Sequence, residues 1–315
     1  MKSSHPTPQP DPQVDQESKR ASHQVTIEKV TGLSSRRAED TLAVEEPLEI
    51  QLAHGSPDAR SVKSISVTMR TPGHDFDLAA GFLMTEGVVR DPNDIDQIVY
   101  APGSISEHPA AEDPSQNSLP YQPTKNVVRV ELAPNVIVSL ANLERNFYTT
   151  SSCGICGKAS LLALQTVCPP RRENTFRIDT KILYKLPDRL REAQSLFNRT
   201  GGIHGAALFD ATGNLLAARE DVGRHNAVDK LLGAEFLADR TPLRNALLLL
   251  SGRASFELLQ KALMAGVPMV AAVGAPSSLA VQVAKNFDIT LIGFLRDNHC
   301  NIYHGAEHIL GHASN

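Results

Sequence analysis

Two of the four cysteines in this 315-residue chain, Cys153 and Cys156, lie three positions apart in the segment SSCGICGK (151–158). Cysteine reacts as its thiolate, and a nearby cation or the amides at a helix N-terminus favour that form. Lys158 supplies a cation, and residues 159–167 have the composition of a short apolar helix that would begin beside both sulfurs. The pair therefore indicates sulfur chemistry, redox exchange or a metal site.

Three kinds of chemistry compete at this pair. A structural zinc site needs four ligands, and because Cys168 and Cys300 are isolated in the sequence, such a site would have to recruit His299 or His304. Thioredoxin-like exchange uses a similar Cys-x-x-Cys motif, which normally follows a strand of a βαβ unit, and no such strand precedes Cys153. The third alternative is a sulfur carrier, in which one thiolate accepts the outer sulfur of a donor persulfide and passes it on.

Composition describes a globular chain with enough apolar residues for a buried core. Hydrophobic residues make up 41% of the chain, and its formal net charge of −4 gives no general case for nucleic-acid binding. No stretch resembles a signal peptide, and glycine and proline interrupt the uncharged span 262–284, which favours a buried strand between helices over a membrane helix. We therefore expect a cytoplasmic protein without nucleic-acid or membrane partners.

The chain divides into four predicted segments. These are a disordered tail over 1–24, an N-terminal α+β subdomain over 25–150, a cysteine loop with connecting helices over 151–200, and an α/β core over 201–315 that would bind a cofactor. The subdomain shows strand patterns over 46–52 and 64–69, a helix over 76–86, paired strands over 127–132 and 136–140, and a long exposed loop over 102–124.

The core has the alternating pattern of a three-layer α/β unit with substantial parallel pairing. A hairpin is predicted over 203–218, followed by helices over 224–237, 256–265 and 279–286 and strands over 246–250, 269–273 and 290–295. Ligands of such folds bind where strands end and helices begin, because free amides and the positive end of the helix dipole lie there. The core therefore predicts a ligand site at its strand ends.

Two turns at these strand ends suit an anion. Ser251, Gly252 and Arg253 follow one strand, with Ser255 placed as an N-cap, and the small-residue turn GAPSS begins at Gly274 after the next strand. Either turn alone would be ordinary helix capping, but two in successive units strengthen the case for a site. Neither turn matches the phosphate loop of ATPases or the dinucleotide fingerprint.

A third polar segment, REDVGRHNAVDK (219–230), lies where a strand passes into a helix. We expect Asp221 to cap that helix, and Arg224, His225, Asn226 and Asp229 exceed what capping alone requires. A solvated helix start with a few ion pairs is an equally good interpretation of this segment. His204, between two glycines, is similarly ambiguous.

On these residues the chain resembles the FdhD family, the formate dehydrogenase accessory sulfurtransferases. The resemblance runs from about residue 25 to 304, and departs from the family pattern at Gly274, at Cys300 and in the long loop 102–124. Besides the cysteine motif, it is carried by the segments VTMRTPG (67–73), LAAGFL (78–83), DVGRHNAVDK (221–230), SGR (251–253), APSSLA (275–280) and GFLR (293–296).

The resemblance implies a cytoplasmic, dimeric sulfurtransferase. It would take sulfane sulfur from a cysteine desulfurase and deliver it to the molybdenum cofactor, bis-molybdopterin guanine dinucleotide, of apo formate dehydrogenase. The implied fold is a cytidine-deaminase-like α/β/α core with an N-terminal β-rich subdomain, without the zinc-ligand pattern of deaminases. Alternatives are a non-catalytic, cofactor-binding chaperone of formate dehydrogenase and a thiol-disulfide oxidoreductase.

The resemblance also implies residue roles. Cys153 would carry the persulfide, Cys156 would share or resolve it, and the segment 294–299 would bind the guanine dinucleotide, with no metal of the protein's own. The cofactor-binding set that we predict consists of Arg224, His225, Ser251, Gly252, Arg253, Gly274, Phe294, Leu295, Arg296, Asp297, Asn298 and His299.

Overall fold

The computed structural model describes residues 20–101, 125–134, 136 and 173–311. Predictions for the cysteine motif, for Cys168, for the helix over 159–167 and for the loop over 102–124 concern residues outside this part of the chain. They stay predictions.

The described residues form four sheets and a set of helices, which we number in chain order. The strands are β1 (Ser22–Thr31), β2 (Ser34–Ala43), β3 (Glu46–His54), β4 (Ser61–Arg70), β5 (Ile95–Tyr100), β6 (Val127–Leu132), β7 (Ile178–Asp179), β8 (His204–Phe209), β9 (Leu215–Asp221), β10 (Leu247–Leu250), β11 (Met269–Ala272), β12 (Thr290–Arg296), β13 (His299–His304) and β14 (Ile309–Leu310). The helices are α1 (Asp75–Thr85), α2 (Thr180–Leu183), α3 (Leu186–Ala193), α4 (Ser195–Thr200), α5 (Arg224–Leu237), α6 (Phe256–Met264) and α7 (Ser278–Phe287).

The largest sheet has six strands in the order β13-β12-β11-β10-β8-β9. Strands β10, β11 and β12 are parallel, whereas β8, β9 and β13 join antiparallel, so parallel pairing is limited to the middle of the sheet. Residues Leu247–Leu250 are buried on both faces, as expected for a continuous apolar run in a central strand. The strands and helices predicted over 203–295 are confirmed to within one residue at each end, except that β9 extends three residues beyond the predicted 218.

Apolar side chains cover both faces of this sheet. On one face, Ala206, Leu208, Leu248 and Val270 pack against buried residues of α5, α6 and α7. On the other face, alternate residues of the same strands pack against residues 176–190, which include α2 and α3. The sheet is therefore a central layer between helices. No helix of the described residues is long and apolar enough to span a membrane.

A four-stranded sheet, in the order β4-β3-β6-β5, packs on the outer side of α1 and shares one apolar cluster with the α5 face of the large sheet. The predicted pairing of 127–132 with 136–140 is wrong, because β3 and β5 occupy both edges of β6. Gly81 of α1 faces Gly233 of α5, and a Cβ on Gly81 would lie 1.9 Å from the Asp229 carbonyl oxygen. Glycine at this crossing lets the helix backbones touch.

The N-terminal ribbon β1–β2 pairs along its whole length, from Ser22 with Ala43 to Thr31 with Ser34. The predicted tail over 1–24 therefore extends three residues too far. Strand β1 was missed because its polar residues resemble a solvated tail, while their backbone groups pair with β2.

A buried polar cluster fixes the segment before β7 to the far end of the sheet. The Asn174 Nδ2 group lies 3.0 Å from His308 Nδ1, and the Thr290 Oγ1 atom lies 2.6 Å from the same nitrogen. Burial lowers the pKa of His308. The imidazole is therefore neutral, and its Nδ1 accepts the amide hydrogen of Asn174.

Candidate functional site

The carboxyl ends of the parallel strands meet at one edge of the large sheet, where α6 and α7 begin. The start of β8 and the end of β9 reach the same edge, because His204 pairs with Asp221 and the Ser251 amide donates to the Gly205 carbonyl at 3.0 Å. We call this edge the strand-end site. It is defined by His204, Arg224, His225, Ser251, Gly252, Arg253, Gly274 and Phe294.

The turns after β10 and β11 lie side by side at this site. The Gly274 amide donates to the Gly252 carbonyl at 2.9 Å, and the Phe294 amide donates to the Gly274 carbonyl at 3.1 Å. A Cβ on Gly274 would lie 3.0 Å from the Gly252 oxygen and 3.1 Å from the Arg253 nitrogen. Glycine thus permits the close approach of the two turns.

Phe294 and the residues after it leave regular strand geometry. Phe294 has a φ of 54° at an irregularity in the β12–β13 ladder, and left-handed backbone at an aromatic residue is strained. Asp297 and Asn298, with φ of 49° and 55°, form the two-residue turn between Arg296 and His299. Phe294 therefore lies at the strand-end site, whereas residues 296–299 form an exposed hairpin turn.

Arg224 is the first residue of α5 and is half-buried. Its Nε atom is buried and has no hydrogen-bond acceptor. His204 lies nearby, where burial and then the positive charge of Arg224 lower its pKa, so that the ring is neutral at neutral pH. A guanidinium N–H without an acceptor, at the positive end of a helix, is suited to an oxyanion.

His225 connects the starts of α5 and α6. Its Nε2 atom lies 2.7 Å from Glu257 Oε2 and 3.4 Å from Ser255 Oγ. The hydrogen bond from His225 lowers the pKa of Glu257. Because Ser255 makes no capping bond of its own, the predicted N-cap side chain faces His225 instead.

Asp221 does not cap α5, contrary to the sequence prediction; the N-cap residue is Gly223. The Asp221 carboxylate is fully buried. It accepts from the Thr71 amide at 3.1 Å and lies 2.6 Å from Lys230 Nζ, and these partners compensate its burial. Asn226 donates to the Met69 carbonyl at 2.7 Å. These polar residues therefore attach α5 to the segment that follows β4.

Asp229 is also structural. It lies 2.9 Å from Lys261 Nζ of α6 and accepts from Thr85 Oγ1 of α1 at 2.9 Å. The polar segment 219–230 thus divides into buried residues that join helices and two residues, Arg224 and His225, that remain at the strand-end site.

The structure brings together part of the predicted cofactor-binding set. Arg224, His225, Ser251, Gly252, Arg253, Gly274 and Phe294 share the strand-end site. Leu295 is fully buried in the apolar cluster on the α3 side, so its side chain contributes packing there.

Sequence reasoning missed Glu257, although its place in the first turn after the SGR motif was a usable signal. Within the described ranges, no group of three His, Cys, Asp or Glu residues is arranged to hold a metal ion. Because Cys153 and Cys156 lie outside those ranges, the zinc alternative is untested.

The sequence profile of the FdhD/NarQ family matches residues 43–310. The chain belongs to this family. It is 52% identical to the sulfur carrier protein FdhD of Streptomyces avermitilis over 272 residues, which cover 86% of this chain and 89% of that protein. It is 50% identical to the sulfur carrier protein FdhD of Mycobacterium tuberculosis over 273 residues, which cover 86% of this chain and 92% of that one.

A crystal structure from Desulfotalea psychrophila, of a protein described provisionally as a formate dehydrogenase accessory protein, has a similar fold. The TM-score is 0.66 at 21% sequence identity, over 92% of this chain and 100% of that one. At this identity the likeness supports the mixed α/β fold alone. The FdhD family resemblance expected from the sequence is confirmed.

Proposed function

We propose that this protein is a sulfurtransferase that carries sulfane sulfur from a cysteine desulfurase to the molybdenum cofactor of formate dehydrogenase. The cofactor, as bis-molybdopterin guanine dinucleotide, is the sulfur acceptor and therefore a substrate. Family membership supports sulfur transfer, and the Cys153–Cys156 motif supplies the thiols.

One observation carries the acceptor half of the proposal. The buried Arg224 Nε group has no hydrogen-bond acceptor in the structure, and it lies at a helix start close to two half-buried glycine turns. A nucleotide with a diphosphate presents the oxyanions that such a donor lacks. The residues of the strand-end site therefore fit the guanine dinucleotide part of the cofactor.

The loading of Cys153 with sulfur balances without an added oxidant or reductant. The Cys153 thiolate attacks the outer sulfur of the desulfurase persulfide, the donor S–S bond breaks, and the desulfurase thiolate leaves. Cys153 then holds the sulfur as a persulfide. Delivery would break this S–S bond and regenerate the thiolate, and a reduced molybdenum centre in the acceptor would supply the two electrons that bring the sulfane sulfur to the sulfide level. Lys158 would stabilise both anions, and Cys156 would share or resolve the sulfur.

The remaining residues of the predicted set would hold and orient the substrate. Arg224 would donate to a phosphate, Arg253 would pair with a phosphate from the turn after β10, and Phe294 would contact the base, with the exposed hairpin turn closing beside it. Neutral His204 would add no charge at this position.

We further propose that the layer of strands between two layers of helices is a cytidine-deaminase-like core, and that the protein acts as a cytoplasmic homodimer. The FdhD resemblance supports each of these points. Light scattering of the purified protein tests the dimer, because a mass near 34.1 kDa would contradict it.

Intact-mass measurement tests the sulfur-carrying half of the proposal. Incubation with a cysteine desulfurase and cysteine should add one sulfur atom, which reductant removes. We expect Cys153→Ala to lose this addition and Cys300→Ala, a matched change at a half-buried cysteine, to retain it. Full retention of the added sulfur by Cys153→Ala would show that Cys153 is not the carrier.

The same variants separate the alternatives. If a double Cys153→Ala/Cys156→Ala variant still activates formate dehydrogenase in cells, the protein is a non-catalytic chaperone. If the wild-type protein reduces insulin disulfides and forms a reversible Cys153–Cys156 disulfide, it is a thiol-disulfide oxidoreductase. Loss of activation without insulin reduction is the result expected of a sulfurtransferase.

Calorimetry with guanosine diphosphate tests the acceptor half. A charge-assisted hydrogen bond contributes about 1.5–3 kcal/mol, so Arg224→Gln should weaken binding roughly 10- to 150-fold. Arg244→Gln is the matched control, because Arg244 is exposed before β10, at the opposite end of that strand. Equal affinities of wild type and Arg224→Gln would remove Arg224 from the site.

A further inference from the structure

A buried glutamine, Gln194, lies beside the strand-end site with an unpaired amide. It joins α3 to α4 and is 4% exposed, yet its Nε2 atom is buried without a hydrogen-bond acceptor. An unpaired buried donor costs free energy because it has lost water without gaining a partner. Methionine, with a similar length and no polar atom, would avoid this cost at the same place.

The side-chain amide of Gln194 packs against Gly205 in β8. A Cβ on Gly205 would be 2.6 Å from Gln194 Nε2 and 2.7 Å from Cδ, so glycine at position 205 leaves room for this side chain in its present position. Gly205 lies opposite Ser251 in the ladder, and its amide donates to Ser251 Oγ at 2.9 Å. Gln194 is thus next to a residue of the strand-end site.

The neighbouring polar group on this face is already occupied. Glu220, the partner of Gly205 in β9, accepts from the Leu196 and Phe197 amides at 2.9 and 2.8 Å. Ser251 Oγ accepts the Gly205 amide hydrogen with one of its two lone pairs, and its hydroxyl hydrogen can donate to a ligand. The side of the edge that faces α3 therefore presents two donors, from Gln194 and Ser251.

Both faces of the large sheet carry a buried side-chain donor without a hydrogen bond near the strand-end site. Buried side-chain donors without a hydrogen bond occur at four places in the described ranges, namely Asn126, Arg129, Gln194 and Arg224, and of these Arg129 Nε forms an ion pair with Glu131 Oε1 at 2.8 Å. The first two belong to the small sheet or the residue before it, and the other two flank the start of β8 from opposite faces of the large sheet. Two unpaired donors at one edge indicate a ligand rich in acceptor oxygens.

We propose that Gln194 is a ligand-binding residue of the strand-end site, which donates from Nε2 to an oxygen of the nucleotide part of the substrate. The proposal rests on the proposed function, because that function supplies the nucleotide. The acceptor is a phosphate oxygen or the carbonyl oxygen of guanine. Gln194 binds from the α3 side of the edge, and Arg224 binds from the α5 side.

Calorimetric titration of the full chain with guanosine diphosphate and with adenosine diphosphate tests this role. We expect Gln194→Met to bind guanosine diphosphate about tenfold more weakly than wild type, the loss of one hydrogen bond in a buried site. Its melting temperature should equal or exceed that of wild type, because the unpaired donor is gone. Gln97→Met, the same change on an exposed residue of β5, should alter neither quantity.

The outcomes separate this proposal from the proposed function. If Gln194→Met binds guanosine diphosphate as wild type does, Gln194 is not a ligand residue, while the strand-end site stands. If wild type binds neither nucleotide, the nucleotide site and the role of Gln194 fall together.

Two further results refine the assignment. Should Gln194→Met fold poorly, Gln194→Glu keeps the side-chain length and places an acceptor against the ligand oxygen, and unchanged affinity would overturn the proposal. Equal losses for both nucleotides assign the acceptor to phosphate, and a loss for guanosine diphosphate alone assigns it to the base.

Discussion

Replacing Lys230 with methionine removes one half of a buried ion pair that joins α5 to the segment after β4. The ammonium group lies 2.6 Å from Asp221 Oδ2 and donates to the Thr71 carbonyl at 2.7 Å. The Lys230 and Asp221 side chains are 2% and 0% exposed. Methionine keeps the length of the aliphatic stem, so the change isolates the charge and its hydrogen bonds.

The expected loss of stability depends on the hydrogen bonds that Asp221 still accepts in the variant. Removal of one partner of a buried pair costs about 3–5 kcal/mol, because the other charge is left uncompensated. Asp221 still accepts from the amides of Thr71, Gly223 and Asn226 at 3.1, 2.8 and 3.2 Å. We therefore expect the free energy of unfolding to fall by about 3 kcal/mol, the lower limit of that range.

Urea unfolding followed by circular dichroism measures this loss. Lys285→Met, on the exposed surface of α7, is the matched control and should change the free energy of unfolding by less than about 0.5 kcal/mol. Adding Asp221→Asn to Lys230→Met removes the unpaired charge and should recover part of the loss. A loss below about 1 kcal/mol for Lys230→Met, or no recovery in the double variant, would refute the buried-charge reasoning.

Three further predictions concern other contacts. Gly233→Ala should lower the free energy of unfolding by about 3 kcal/mol or more in urea titrations, because the new Cβ would lie 1.9 Å from the Asp77 carbonyl oxygen, whereas an unchanged midpoint would contradict this crossing. Burial lowers the pKa of His308 in the folded protein. As the pH falls, the unfolded chain therefore protonates this histidine before the folded protein does, and the free energy of unfolding decreases below the ordinary histidine pKa. His308→Asn should therefore flatten the dependence of melting temperature on pH between about 5 and 7, and an unaltered slope would count against it. His225→Gln should raise the pKa of Glu257 in a carbon-detected NMR titration, since the bond from His225 holds that pKa down; a constant value would exclude the bond.

Much of the fold was predictable because its signals are local. The run Leu247–Leu250 and the alternation of apolar residues around it predict a buried strand and its flanking helices from short-range periodicity alone. The ribbon β1–β2 was not predictable in this way. Most of its residues are polar and none is fully buried, so pairing with a partner strand, rather than burial, determines the structure.

The candidate site was partly predictable for a related reason. Glycine and serine after strands, with an arginine between them, indicate a strand-end site from the local sequence alone. Position in the sequence does not, however, distinguish Arg224 from Asn226 or Asp229. Only packing shows that the last two are used to join helices, while Arg224 keeps an unpaired donor.

The sequence by itself determined the cysteine pair, the family and the alternation of strands and helices over 203–295, since these depend on residue types and their spacing. Tertiary structure decided which polar side chains are satisfied within the protein. Asp221 finds its partner amide at Thr71, 150 residues earlier, and Gln194 finds none. Burial and hydrogen bonding depend on segments far apart in the chain, which is why the unpaired donors at the strand-end site became visible only in the folded molecule.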